Sequence, residues 1–127
     1  MKAMPLAITL IIMNLNIYIS EEAFWDNFNK HQNFLKEVTG KDCTIFRFPG
    51  GSHNTLVRNA HGSSFTENII LKLNEQGINC YDWNVDSGDA KGNNIPAATI
   101  YNNVVKESRD KNGELKSPAI VLMHDCM

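Results

Sequence analysis

Cysteine is scarce in this chain of 127 residues, and the three present, Cys43, Cys80 and Cys126, are odd in number and far apart. They form neither a CxxC pair nor the spacing of a disulfide framework, so small buried thiols are the expectation. Charge of one sign is equally scarce. Twelve Lys and Arg stand against fourteen Asp and Glu, a formal net charge of -2, and no basic patch calls for nucleic acid. No apolar run approaches the roughly 20 residues of a membrane-spanning helix. The longest candidate, Pro5 to Met13, follows a single Lys2, and no small-x-small cleavage site comes before Asn14. That argues against a secretion signal and leaves the compartment open. With 43% hydrophobic content, the chain reads as one globular domain rather than a disordered or fibrous segment.

What is present is a repeated shape. Thr44-Ile45-Phe46-Arg47 leading into Phe48-Pro49-Gly50-Gly51, Asn79-Cys80-Tyr81-Asp82-Trp83, and Ala119-Ile120-Val121-Leu122-Met123-His124-Asp125 are short β-rich runs that end in a residue able to do chemistry. A helical pattern precedes each. Ser20 opens the first, with Glu21 and Glu22 in the dipole-favoured first turn, an apolar stripe of Phe24, Phe28, Leu35 and Val38, and Gly40 as the stop. Ser64-Phe65-Thr66-Glu67 reads as a capping box opening the second, whose Phe65, Ile69, Ile70 and Leu73 keep the 3.6 period until Gly77. Pro96 suits the first turn of the third, marked by Ile100, Val104 and Val105. Asp110 to Gly113 is turn chemistry, and Pro118 leads into the last strand. The order α-β-α-β-α-β predicts an α/β fold with parallel strands and crossover helices. In such folds the carboxyl ends of the strands share one face, which would gather Arg47, Asp82, Trp83 and His124.

These strand ends resemble a known family. Arg47-Phe48-Pro49-Gly50-Gly51-Ser52, then Tyr81-Asp82-Trp83-Asn84-Val85 with Ser87-Gly88-Asp89, then Ile120 to Asp125 look like the third, fourth and fifth motifs of the polysaccharide deacetylases (carbohydrate esterase family four). The resemblance runs from about Ile17 to Asp125 and implies part of a distorted (β/α) barrel, incomplete at both ends. It implies metal-dependent hydrolysis of N-acetyl or O-acetyl groups on a glycan such as chitin oligomers or peptidoglycan. A divalent metal, zinc in most members, is the implied cofactor and an acetylated glycan the implied partner. By the same resemblance, His124 is the general acid for the leaving amine, Asp82 holds and tunes His124, and Arg47 orients the base of the first motif. Trp83, Leu122, Phe48 and Pro49 line the sugar groove. His31, on a helix, and His53 and His61, in a polar loop, read as solvated residues rather than ligands.

Two family motifs are missing. The Thr-Phe-Asp-Asp-Gly type segment that carries the base and one ligand is absent. The His-x-x-x-His pair, due just before Asn16-Ile17-Tyr18, is replaced by Ile8-Thr9-Leu10-Ile11-Ile12-Met13. Alkyl side chains cannot bind zinc, so no residue of this chain is assigned as a metal ligand. Codons permitted for Pro5 to Met13, read one frame over, can spell Ile-Gly-Asn-His-Thr-Tyr-Asn-His-Glu. Residues 1–14 are therefore read as out of frame, and residues 1–127 as a partial deacetylase domain whose own activity is undecided. A noncatalytic glycan-binding remnant is the alternative. A third reading places a phosphate at Gly50-Gly51-Ser52 or Ser87-Gly88, although neither matches GxxxxGK[ST] or GxGxxG. Three or four strands cannot close a barrel, and open sheet edges favour self-association. Sedimentation velocity should show concentration-dependent association; a sharp monomer boundary with a cooperative thermal transition would count against it.

Overall fold

The computed structural model describes residues 7–9 and 15–124. The chain divides into two compact units, one up to Asp82 and one from Trp83 onward. In the first, β1 (Ala7–Thr9), β2 (Ile45–Arg47) and β3 (Asn79–Cys80) form a parallel sheet in that order. Ala7 pairs with Ile45, and Phe46 with Cys80. A 3-10 turn (Leu15–Tyr18) leads into α1 (Glu21–Thr39), and α2 (Thr55–His61) and α3 (Ser64–Glu75) cross between β2 and β3. In the second unit, β4 (Val85–Asp86) pairs in parallel with β5 (Val121–Leu122), and α4 (Ala97–Glu107) lies between them in sequence. The α/β class with parallel strands is as the alternation predicts. The strands form two separate open sheets.

Sequence chemistry accounts for the boundaries of α1. Ser20, in an extended conformation, accepts the Ala23 amide at 3.0 Å, and Gly40, at φ 71°, donates its amide to the Lys36 carbonyl. Phe24 and Phe28 are buried, but Val38 at 66% exposure lies off the stripe, beyond the reach of the core in the last turn. The core of this unit is aromatic. Phe24, Phe28, Phe46 and Phe48 are all within 2% of full burial, and Phe46 meets Phe48 edge to face at 4.9 Å between centroids. Phe46 also touches Phe24 and Phe28, each at 5.7 Å, so the middle residue of β2 joins helix and sheet. Edge-to-face pairs of this kind add to the area they bury.

Three expectations are corrected. The polar stretch around His61 contains a helix, α2, short enough that its only buried residue is Val57 and no apolar period could announce it. Asn54 caps it by accepting the Leu56 amide at 2.9 Å. The capping box before α3 is not made, because Ser63 occupies the cap with αR dihedrals and its side chain makes no capping bond. The run from Asn79 to Trp83 ends as a strand at Cys80, and a separate two-residue strand, β4, follows it. Ala7–Thr9 form β1, while the rest of the stretch read as out of frame, 1–6 and 10–14, lies outside the described residues, as do Asp125 and Cys126.

Phe46 has no exposed surface and touches three other rings, so Phe46→Ala should cost about 3–5 kcal/mol in urea unfolding, the range for emptying an aromatic site. A loss under 1 kcal/mol would show that β2 is not the centre of the core.

Candidate functional site

Arg47 ends β2, half-buried, and the chain turns at once. The Gly51 amide donates to the Phe48 carbonyl at 2.9 Å, and the Asn54 amide to the Gly51 carbonyl at 3.3 Å. Gly50 sits at φ 76°, where a Cβ would lie 2.5 Å from Asn54 Nδ2, so the turn admits only glycine there. Phe48 is a correction: at 2% exposure it is a core ring and cannot face a sugar. Pro49 is half-buried, and its carbonyl accepts the Tyr18 hydroxyl at 2.8 Å. Burial, aided by the Asp82 charge, pushes the Tyr18 phenol far up, which keeps it a donor.

Asp82 grips the far side of the same turn. Its Oδ1 accepts the Ser52 amide at 2.9 Å, and its Oδ2 accepts the Ser52 hydroxyl. His53 Nδ1 lies 2.9 Å from Ser52 Oγ and 3.6 Å from Asp82 Oδ2. Burial first, then the Asp82 charge, pushes the nearby Cys80 thiol up to about 11, so it stays protonated at neutral pH. The phosphate reading fails here on charge, since the Ser52 amide is already given to a carboxylate.

In the second unit, His124 follows β5 and its carboxylate is Asp89. Asp89 Oδ2 accepts the His124 amide at 2.5 Å, and Oδ1 lies 2.9 Å from His124 Nδ1. The pairing expected of Asp82 is made by Asp89, while both Asp82 oxygens are engaged by Ser52. Asp89 belongs to the Ser87-Gly88-Asp89 segment, and spacing alone gave no reason to prefer it over Asp82. The loop is built around buried Ser87, whose Oγ accepts the Asp89 amide at 3.4 Å and whose carbonyl accepts Asn103 Nδ2 at 3.0 Å. Asp86 Oδ1 takes the Gly88 amide at 2.8 Å, which removes that loop as a phosphate cradle. Asn84 fixes the start of β5: its Oδ1 accepts the Ile120 amide at 2.8 Å and its Nδ2 donates to the Pro118 carbonyl at 2.9 Å. Trp83 and Leu122 are half-buried, with Leu122 opposite Asp86 in the β4–β5 register.

The polysaccharide deacetylase model matches residues 13–79, more than half of the chain. The chain belongs to the polysaccharide deacetylase family. The crystal structure of the catalytic domain of peptidoglycan N-acetylglucosamine deacetylase from Eubacterium rectale ATCC 33656 is 33% identical, with a TM-score of 0.73, over 87% of this chain and 47% of that one. A Streptococcus mutans CE4 esterase shares the fold at 24% identity and a TM-score of 0.62, over 87% of this chain and 46% of that one. This polysaccharide deacetylase chain thus spans about half the length of the solved relatives it matches. None of the curated proteins is significantly similar to it in sequence. Family membership implies a divalent metal. Among the described residues no three His, Cys, Asp or Glu side chains converge, so they do not supply its donor set.

The His124 contacts hold the Asp89 carboxyl down at about 2, below its ordinary 3.8. A depressed carboxyl contributes stability above its unfolded value, and that contribution disappears as pH falls through the folded one. The pair should therefore persist to about pH 4 and be lost toward pH 2. Carbon-13 NMR titration of the Asp89 carboxyl should show the low midpoint, and His124→Ala should return it toward 3.8. An unchanged midpoint in that variant would refute the pairing.

Proposed function

We propose that this chain carries the proton-donating and glycan-facing part of a polysaccharide deacetylase centre, for removal of N-acetyl or O-acetyl groups from a glycan such as N-acetylglucosamine oligomers or peptidoglycan. The observation that carries the reading is the His124–Asp89 pair at the end of β5. With Asp89 ionised and acceptor-only, Nδ1 must be the donor, so in the protonated ring Nε2 also carries a hydrogen and can give it to a leaving group. The second bond, from the His124 amide to the same carboxylate, fixes backbone and ring together. Asp89 takes the orienting role in this reading, and Asp82 acts elsewhere. Arg47, at the carboxyl end of β2, supplies a guanidinium suited to orienting an acidic base. Trp83 and Leu122 in the second unit, and Pro49 in the first, each offer partly exposed apolar surface to a pyranose. The parallel strands fit a segment of a (β/α) barrel.

Deacetylation also needs a base and a group that polarises the acetyl carbonyl, and the described residues do not provide the metal donors for the latter. That observation favours a second reading, a glycan-binding remnant without turnover.

Acetate release from N-acetylglucosamine oligomers and from peptidoglycan, measured with added divalent metal and again with a chelator, separates the two. The deacetylase reading expects release that His124→Ala lowers about 10²–10⁴-fold in kcat, the range for losing a general acid. Release indifferent to His124→Ala would overturn the assignment, and glycan binding with no release would establish the remnant.

A further inference from the structure

The Ser52–His53–Asp82 cluster plays no part in the chemistry assigned to His124, yet its donor order is determined. Ser52 has one hydroxyl hydrogen and two neighbours that could take it, Asp82 Oδ2 and His53 Nδ1. An ionised carboxylate only accepts, so the hydrogen goes to Asp82. The 2.9 Å contact between Ser52 Oγ and His53 Nδ1 then requires Nδ1 to carry a proton and donate to the serine oxygen. Charge points the same way, because a bare Nδ1 lone pair would face the Asp82 oxygen at 3.6 Å. The hydrogen bonds run from His53 to Ser52 to Asp82. In the neutral ring this leaves Nε2 as an acceptor, on a side chain that is 82% exposed.

His53 stands beside a polar cleft of about 70 Å³ whose lining includes Asn54, Arg58, Thr66 and Glu67. The cleft is too small to enclose a pyranose and large enough for a hydroxyl or hydroxymethyl group of a ring lying across it. Arg58 and Glu67 bring opposite charges to it, and Asp82 adds a carboxylate next to His53. This balance selects a neutral hydroxylated ligand over an anion. We propose that His53 is a glycan contact whose Nε2 accepts a hydrogen bond from a sugar hydroxyl, with Ser52 and Asp82 as positioning residues that fix its tautomer. The contact rests on the glycan reading above; the tautomer does not.

Two measurements on the full chain test it. Long-range proton–nitrogen NMR of the imidazole, at about pH 8.5 where histidine is ordinarily neutral, should show a protonated Nδ1 and bare Nε2. Ser52→Ala and Asp82→Asn should each move His53 toward the Nε2–H form; a wild-type ring already in that form overturns the positioning role. In titrations with the N-acetylglucosamine tetramer, the Nε2 signal should shift on binding. His53→Ala should raise Kd about three- to tenfold, the range for one hydrogen bond, and His53→Gln, which keeps an acceptor at that reach, should recover most of the loss. Tetramer binding that is equal in wild type and His53→Ala overturns the contact while the proposed function stands. No tetramer binding to the wild type overturns both the glycan reading and the contact.

Discussion

One carboxylate gripping one residue twice, by its backbone amide and by its side chain, is the contact on which the polar cluster of each unit depends. Asp82 does this to Ser52 and Asp89 does it to His124. The need arises where the strands stop: Ser52 and His124 lie past the ends of β2 and β5, and a carboxylate rather than a strand carbonyl takes each of their amides. A carboxylate meets that need and adds a charge-assisted bond to the side chain. It therefore orients a chemically useful group as a by-product of satisfying the backbone.

The aromatic core makes the first of these grips possible. Phe46 and Phe48 are consecutive inward positions of the β2 segment, and both are locked among rings from α1. With Phe48 fixed, the turn that follows begins from a rigid point, and Tyr18 and Asp82 hold it at Pro49 and Ser52. The local physics places these polar groups just past the ends of parallel strands.

Much of this was legible in the sequence. The spacing of Phe24 and Phe28 and the Ser20 and Gly40 signals define α1; Ile69 and Leu73 define the buried face of α3; and the three β-rich runs place Arg47 and His124 at strand ends. Phe48 was assigned to the groove by the family resemblance, whereas its period-2 relation to Phe46 already placed it inward. Asp82 and Asp89 were harder. Both are acids shortly after a strand, and which of them meets His124 depends on the β4–β5 pairing, a nonlocal fact spread over more than 30 residues. The hidden helix α2 has too few turns for periodicity to register, so its Asn54 cap was the only local signal.

The orientation of His124 is tied to a helix that buries none of its residues. α4 has no fully buried side chain, yet its Asn103 holds the Ser87 carbonyl and its Glu107 holds the Asp86 amide. Segments with so little buried apolar surface open locally at a free energy well below that of global unfolding. An opening of α4 releases the Ser87 carbonyl and the Asp86 amide of the loop that carries Asp89. The histidine's alignment is thus a population, set by how often α4 breathes, and a ligand that spans this loop and helix would sharpen it by suppressing that motion.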